Sequence, residues 1–350
     1  MSNVGKLVIS LDTEIAWGRV SDPDRVDFYP LFRDTRSVIE RMLDLFDRYD
    51  IPVTWALVGR LIEDADNPTR YLTDSLADYF PGVDTDSVYN DANLNNQSNS
   101  LVHFKEVVEL IRGRSACHEL GSHTYNHCFF QETTEKPLIE RDFLAMQSIA
   151  AMHGINVRSL VFPKNQVNHL DVVAANGVAI YRSEDVHWYD HFGRAGPFRK
   201  VLRKVLRQID LLTPIAASGV EVGLDEHGVY SLPGSIVFRR EHRGVKRHIP
   251  IGLLTGKSIR ALNHSIKTGR YVHLWWHPFN FAYKQDAHFE ALEKVLRHAA
   301  NLRGEGVLEV LTMGDVALSA GRMHAVSYTH LRAHETRGNL VCRLLLEKKN

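Results

Sequence analysis

The 350-residue chain has little that would mark it as exported, disulfide-bonded or embedded in a membrane. Its three cysteines, Cys117, Cys128 and Cys342, are too few for a disulfide framework and fit a reducing compartment. No apolar run approaches the roughly 18 residues that a membrane span needs. The first residues show no basic, apolar and small-residue pattern of a secretory signal. We therefore expect a soluble cytoplasmic protein.

The chain also lacks an excess of either charge, since Lys plus Arg and Asp plus Glu both number 42. A balanced charge argues against nonspecific binding of nucleic acid, and we expect no nucleic-acid partner. One segment departs from this balance, because residues 194–207 carry basic side chains interleaved with apolar ones and no acidic residue. A solvated helix face is the more common meaning of such a pattern, and peripheral contact with the inner face of a membrane is the alternative. The sequence leaves the oligomeric state open.

Short apolar runs that alternate with amphipathic stretches make up most of the chain. KLVISLD at 6–12 precedes a helical pattern over Thr35–Tyr49, and the same rhythm continues to VLEVLT at 307–312. Strands predicted from such runs lie near 52–59, 118–123, 159–163, 177–182 and 271–276, and helices near 104–112, 138–152, 170–176 and 286–302. Strands separated by helices predict an α/β fold with a parallel sheet or barrel.

One catalytic domain is predicted over residues 1–325, with a polar loop at 83–100 and a basic helical insertion at 190–215. The last residues are a different matter. VSYTHLRAHET followed by NLVCRLLLEKK resembles the conceptual translation of a sequencing-library adapter. We therefore interpret residues 326–350 as a non-native tail and leave His330 and His334 out of the functional argument.

The first candidate for chemistry is the histidine pair in Ser122-His123-Thr124-Tyr125-Asn126-His127. Two histidines four apart can bind one cation if they lie on adjacent turns of a helix. The spacing alone is weak, because 19 histidines produce four such pairs: 123/127, 187/191, 273/277 and 330/334. Only His123 and His127 follow a strand and a glycine, where a loop would place them at the carboxyl edge of a sheet.

Two further motifs follow other predicted strands. Asp12 and Glu14 lie on alternate residues at the end of the first strand, so their carboxylates point the same way and can serve as metal ligand and base. Late in the chain, His277 stands before Pro278 at a strand end, where its near-neutral pKa suits a general acid. His273 has the same strand parity but lies deeper, and we interpret it as a core histidine.

Together these motifs resemble the polysaccharide deacetylase family with the NodB-homology domain. The family's H-[ST]-x-x-H and L-x-x-H patterns are matched by His123-Thr124-Tyr125-Asn126-His127 and Leu274-Trp275-Trp276-His277. The resemblance implies a distorted (β/α) barrel of about seven parallel strands, with a divalent metal at its C-terminal face. Zinc is the expected ion, with cobalt, nickel and manganese as alternatives.

Two departures from the family pattern matter, and a third motif is matched only in part. The usual Asp-Asp pair reads Asp12-Thr13-Glu14, which resembles a D-x-E subfamily. The resemblance assigns the base to Asp12 and the third metal ligand to Glu14, and the reverse assignment stays open. An R-x-P-Y motif is replaced by Phe162-Pro163-Lys164-Asn165-Gln166, which leaves Lys164 and Arg182 as candidates to replace the missing arginine. The D-x-x-x-W element is matched one residue short by Asp185-Val186-His187-Trp188.

The resemblance implies metal-dependent hydrolysis of an N-acyl group, N-acetyl above all, on a sugar. We expect a nucleotide-linked or lipid-linked sugar of surface-polysaccharide assembly, with Asp12 as base, His277 as acid and Asp185 holding His277 in its cationic form. Lys164, Asn165, Arg182, Trp188 and Trp276 are expected to contact the substrate. Removal of formyl groups, opening of cyclic amides and a silent sugar-binding or scaffold role remain the alternatives.

Overall fold

The computed structural model describes residues 4–64, 76–80, 91, 94, 100–187, 189–190, 197–212, 219–239 and 242–322. The predicted polar loop at 83–100 lies largely outside these residues, as do Trp188 and the whole of the 326–350 tail.

A single mostly parallel sheet forms the centre of the protein. Its strands are β1 Gly5–Thr13, β2 Thr54–Leu57, β3 Glu119–Ser122, β4 Ser159–Val161, β5 Ile180–Ser183, β6 Gly223–Leu224, β7 Tyr230–Pro233, β8 Ile236–Val237, β9 Tyr271–Trp276 and β10 Leu308–Leu311. They are ordered β6-β7-β5-β4-β3-β2-β1-β9-β8, and β10 pairs with β1. Only the β6 and β7 pairing is antiparallel among the described strands. All the parallel strands therefore end at the same edge of the sheet.

The sheet is curled, as contacts between its distant strands show. Arg182 on β5 and Asp12 on β1 are separated by three intervening strands, which in a flat sheet would place them about 19 Å apart. Their side chains nevertheless approach to 2.6 Å. The strands thus form a half-barrel whose inner face brings β1 and β5 together, and the predicted barrel-like α/β fold is confirmed.

Side-chain alternation along β1 separates two environments. Leu7, Ile9 and Leu11 face outward into the larger apolar core, beneath the helices. Ser10 and Asp12 point to the inside of the half-barrel, where both are buried. Because the inner face carries polar groups at its carboxyl edge, the strand ends there become the candidate site.

Helices cover the outside of the sheet. They are α1 Tyr29–Arg33, α2 Thr35–Tyr49, α3 Leu76–Tyr79, α4 Val107–Arg112, α5 Lys136–Met152, α6 Leu170–Ala175, α7 Pro197–Leu212, α8 Ile251–Thr268 and α9 Gln285–Gly304, with a further helical stretch over 313–322. Short 3-10 helices follow several strands at Trp17–Arg19, Gly59–Ile62, Pro163–Asn165 and Pro278–Ala282. Within the part of the chain that the structure describes, no helix has the length and apolarity needed to cross a membrane.

Candidate metal centre

Three side chains from different parts of the chain meet at the carboxyl edge of the sheet. Glu14 directly follows β1, and its Oε2 lies 3.1 Å from Nε2 of His123 and 3.0 Å from Nε2 of His127. One potential ligand atom from each residue lies within 4.8 Å of the other two. All three side chains are buried. The structure therefore brings together the three residues for which a metal-binding role was predicted.

The two histidines lie on the loop that follows β3 and not on adjacent turns of a helix. His123 directly follows β3, and Thr124 and His127 adopt left-handed backbone conformations with φ of 64° and 57°. Such conformations cost about 1–3 kcal/mol each and persist only where the surroundings hold them. The tight loop turns both rings toward Glu14, as their distances show.

Asp12 is held by an arginine. Nη1 and Nη2 of Arg182 donate hydrogen bonds of 2.6 and 2.8 Å to the two carboxylate oxygens of Asp12. Burial alone would raise the pKa of Asp12, but the Arg182 guanidinium and the His277 ring hold it below its usual value. Arg182 is fully buried, so it acts on Asp12 and does not lie open to a substrate as predicted. Of the two candidates for the missing arginine, the structure places Arg182 on Asp12.

His277 faces both carboxylates of the site. Its Nε2 lies 3.6 Å from Oδ2 of Asp12 and 3.3 Å from Oε1 of Glu14. Its Nδ1 is buried and has no hydrogen-bond partner among the described residues. Asp185, which was expected to hold this ring, accepts a 2.8 Å hydrogen bond from the Trp275 indole instead. The predicted pairing of Asp185 with His277 is therefore corrected.

Charge and burial compete at every titratable group here. Burial opposes ionisation of Glu14, but the rings of His277 and His127 hold its pKa well below the usual value. Burial lowers the pKa of His127 and of His277, although the carboxylates act in the opposite direction. His123 is also buried, yet its hydrogen bond to Glu14 raises its pKa. The carboxylates are thus ionised at neutral pH, and the His277 ring is neutral.

A close backbone approach shapes the wall beside Glu14. The chain turns at Ile15, and the Trp17–Arg19 helix brings Gly18 so near that a Cβ there would lie 1.8 Å from Oε1 of Glu14. Only glycine leaves room for the carboxylate at this position. Of the five site residues on the rim, His277 keeps the most exposed side chain, at 18 %. Access to the site therefore lies on the side of His277.

The other residues predicted to contact the substrate differ in how exposed their side chains are. Lys164 is exposed and pairs with Asp22 at 3.3 Å, while Asn165 accepts a 3.1 Å hydrogen bond from Arg182. Trp276 is fully buried and stacks on Phe281, so it is a core residue and the prediction for it is corrected.

Trp275 is the inward-facing tryptophan that the sequence analysis missed. The Arg182 guanidinium lies 4.0 Å from its ring centroid. His273 lies two residues before it on the same face, buried and hydrogen-bonded to Ser10 at 2.8 Å, as a core histidine. Strand alternation from His273 to His277 would have identified Trp275.

The three clustered residues fit a divalent cation chemically. One carboxylate and two imidazoles form a donor set that binds zinc and leaves coordination positions open. Nδ1 of His123 donates a 2.8 Å hydrogen bond to the Val161 carbonyl, which holds the ring with Nε2 toward Glu14. Loss of the Nε2 proton would free its lone pair for a metal. Oε2 of Glu14 lies about 3 Å from Nε2 of each histidine, and the three donor atoms lie within 4.8 Å of one another, so one divalent ion could be held by all three.

Comparison with known proteins agrees with this geometry. The family model described as polysaccharide deacetylase matches residues 26–179. That segment contains His123 and His127, whereas Asp12, Glu14 and His277 join them through the fold. No curated protein matches the chain in sequence.

Solved structures share the fold over almost the whole chain. A protein named as a polysaccharide deacetylase from Mycobacterium smegmatis is 13% identical with a TM-score of 0.56, covering 93% of this chain and 92% of its own. One so named from Pseudomonas aeruginosa PAO1 is also 13% identical, with a TM-score of 0.56 and 91% of each chain covered. Puue allantoinase is 12% identical with a TM-score of 0.53, covering 89% of this chain and 88% of its own. The chain is therefore similar to the polysaccharide deacetylases in sequence over residues 26–179 and in fold over almost its whole length.

Proposed function

We propose that the protein is a metal-dependent hydrolase that removes an acyl group, N-acetyl above all, from an amino sugar. One observation carries the proposal. A carboxylate paired with arginine, a histidine and a three-residue donor set for a metal lie within contact of one another at one edge of the sheet. This is the combination that amide hydrolysis needs, namely a base, a proton carrier and an electrophilic centre.

Glu14, His123 and His127 would hold the cation, with zinc as the proposed ion. A bound divalent metal polarises an amide carbonyl and lowers the pKa of a bound water toward about 7. Because these residues supply one oxygen and two nitrogens, room remains for a water and for the substrate.

Asp12 is the proposed base. The lowered pKa of this buried carboxylate keeps it ionised at neutral pH, as proton abstraction requires. The two parallel hydrogen bonds from Arg182 fix the plane of the carboxylate, which sets the direction from which it can take a proton. Arg182 is thus a positioning residue.

His277 is the proposed proton donor to the leaving amine. Because its pKa is lowered by burial, the resting ring is neutral and must first acquire a proton. Nε2 faces Oδ2 of Asp12 at 3.6 Å, so the proton that Asp12 takes from the attacking water can pass to this ring. The ring then delivers it to the amine, and the amide C–N bond breaks. This relay replaces the predicted role for Asp185.

The proposed substrates are N-acyl sugars linked to a nucleotide or to a lipid. Opening of a cyclic amide is the second candidate, and it is favoured by the fold shared with Puue allantoinase. A silent binding protein was suggested by the missing arginine motif. The contact between Arg182 and Asp12 weakens that alternative, because a buried arginine does lie on the candidate base.

The test combines metal analysis with a screen for product release. Purified protein is analysed for bound zinc, cobalt, nickel and manganese, and then incubated with N-acetylated and N-formylated nucleotide sugars and glycolipids, and with allantoin. We expect stoichiometric metal and acetate release that chelation abolishes and added metal restores. Asp12→Asn is the matched control, expected to retain metal and lose turnover. Turnover that survives complete metal removal, or no release from any of these compounds, would refute the proposal.

A further inference from the structure

The loop that carries the two histidines is held from beneath by a carboxylate outside the site. Asp142, on α5, is buried. Its Oδ2 accepts a hydrogen bond of 2.8 Å from the backbone N–H of Tyr125, and its Oδ1 accepts one of 2.9 Å from the backbone N–H of Asn126. The Asn126 side-chain amide donates a third, at 3.1 Å. These contacts fall on the residues between His123 and His127.

The opposite side of the same loop is held by the segment after β2. The backbone N–H groups of Gly59 and Arg60 donate hydrogen bonds of 3.0 Å to the carbonyls of Thr124 and Tyr125. A Cβ on Gly59 would lie 2.5 Å from the Tyr125 ring, so only glycine permits this approach. The guanidinium of Arg60 also donates to the Asn126 side-chain oxygen. The loop is therefore held between two elements, and Asp142 is the acidic residue among those that hold it.

We infer that Asp142 is a positioning residue for metal binding, because it holds the left-handed backbone that turns His127 toward Glu14. The inference rests on the proposed metal site. Three hydrogen bonds from Tyr125 and Asn126, the residues directly before His127, converge on the Asp142 carboxylate. Within the loop, the Ser122 and Thr124 hydroxyls accept one backbone N–H each, and neither of the left-handed residues is a glycine. Loss of such outer contacts commonly weakens metal affinity about 10- to 100-fold.

The test substitutes Asp142→Asn, which keeps the volume but presents an NH₂ group to one of the backbone donors. The control is Glu119→Gln at the other end of the sheet, where a carboxylate likewise accepts a backbone N–H, from Gly314 at 2.9 Å. Zinc affinity is measured by competition with a chromophoric chelator. The absorption spectrum of the cobalt-loaded protein reports ligand geometry, and urea unfolding reports stability.

We expect Asp142→Asn to bind zinc about 10- to 100-fold more weakly with an altered cobalt spectrum, while Glu119→Gln keeps both. If Asp142→Asn does not fold, Asp142→Glu serves, since it keeps the charge and displaces the carboxylate by one methylene. Affinity within about twofold of the parent protein, or equal weakening in the control, would overturn the inference. These measurements use no substrate. A protein that binds zinc but releases no acyl group would therefore refute the proposed function alone.

A second inference rests on the outer face of α7. Val201, Val205 and Ile209 follow one another at intervals of four residues and are 60%, 50% and 38% exposed. Lys204, which is three residues after Val201, borders this row and is also exposed, whereas Arg199 is exposed on the side of the helix that carries Asp210. The other face is anchored, because buried Asp210 pairs with Lys257 of α8 at 2.6 Å.

We propose that this face of α7 rests on an anionic lipid surface. The outer face combines apolar and cationic side chains, and residues 197–209 contain no acidic residue. Cationic side chains can pair with anionic lipid headgroups, and the apolar side chains can insert toward the acyl layer beneath them. Apolar contact alone would also suit a second copy of the chain, but the cations favour the lipid.

Cosedimentation with vesicles tests this surface. We expect the full chain to bind vesicles containing phosphatidylglycerol, to lose binding as salt rises, and to ignore pure phosphatidylcholine. Val201→Glu should reduce binding at least several-fold. Leu318→Glu, at another helical residue that is 47% exposed, should not. No binding to anionic vesicles, equal effects of both variants, or a dimer that Val201→Glu dissociates would overturn the proposal.

Discussion

The two ends of strand β3 each carry a histidine, and their surroundings give them different roles. At the start, Nδ1 of His118 accepts a hydrogen bond from the Val53 backbone N–H, and the ring packs edge-on against Phe46 and Trp55. Burial lowers its pKa to about 4, so it stays neutral. At the other end, His123 faces Glu14. The comparison teaches that a carboxylate in hydrogen-bonding contact, and not the residue type, separates a candidate metal ligand from a packed aromatic ring.

The largest effect should come from removing each histidine in turn. We expect His123→Ala to lose bound metal and to reduce acyl release by at least about 10³-fold, since one of three donors disappears. His118→Ala should keep metal and turnover, and should lose about 1–3 kcal/mol of unfolding free energy through packing. Metal content, turnover and urea unfolding are measured on both. An active, metal-free His123→Ala protein would remove the distinction.

The next largest effect should come from removing the arginine of the buried ion pair between Arg182 and Asp12. Arg182→Met leaves Asp12 buried without its partner and should cost about 3–5 kcal/mol of unfolding free energy. Removing the guanidinium also raises the pKa of Asp12. The acid limb of the kcat/KM profile should therefore move to higher pH.

Arg270→Met is the control, because Arg270 pairs with Glu221 on the surface at 2.9 Å. Breaking that exposed pair should cost less than about 1 kcal/mol. An unchanged pH profile in Arg182→Met would show that Arg182 does not act on the base.

A smaller effect is expected from the glycine beside Glu14. In Gly18→Ala the new Cβ displaces the Glu14 carboxylate, and zinc affinity should fall by about one order of magnitude. Gly252→Ala, on α8 where a Cβ meets nothing within 4 Å, should leave affinity unchanged and add up to about 1 kcal/mol of stability. Chelator competition measures the first outcome and thermal unfolding the second. Equal zinc affinity in both variants would contradict the role assigned to Gly18.

The smallest expected effect is on the pH dependence of stability, and it comes from Glu119, the residue after His118. Burial raises the pKa of Glu119, although the Gly314 N–H and the Thr54 hydroxyl oppose the shift. A carboxyl with a raised folded-state pKa stabilises the protein below its unfolded-state pKa, and this contribution is lost as pH rises through the folded-state pKa. Glu119→Gln should therefore lack the stability that the parent protein gains on acidification, as urea unfolding at several pH values would reveal. Parallel pH profiles would contradict the raised pKa.

Much of the fold could be predicted because its elements have strong local patterns. Thr35–Tyr49 and Tyr271–Trp276 were predicted with the bounds that the structure has. Helix α8 and the short strands β6 to β8 were not predicted. Strands β6 and β8 have two residues each, which is too short to show an alternation, and β7 reads Tyr-Ser-Leu-Pro, which is not an apolar run.

The residues of the candidate site also differ in whether a local sequence pattern reveals them. Asp12, Glu14 and His123 could be found because each stands at the end of an apolar strand, and such ends meet at one edge. Trp276 was predicted to contact the substrate, but Trp275 is the tryptophan on the same strand face as His273 and His277, because side chains alternate along a strand. Asp142 and Gly18 give no local signal. Their positions depend on how α5 and the Trp17–Arg19 helix pack against the sheet, which only the folded structure fixes.

The contact between Arg182 and Asp12 has two effects at once. It orients the Asp12 carboxylate, and it links strand β5 to strand β1. In the family pattern the arginine lies in the segment that reads Phe162–Gln166 here, which includes the 3-10 helix after β4. In this chain it projects from the interior of a strand and ties β5 to β1. A substitution at Asp12, the proposed base, would therefore also change the contact that ties β5 to β1. Arg182 and Asp12 are therefore expected to diverge together during evolution, and more slowly than the exposed loops around them.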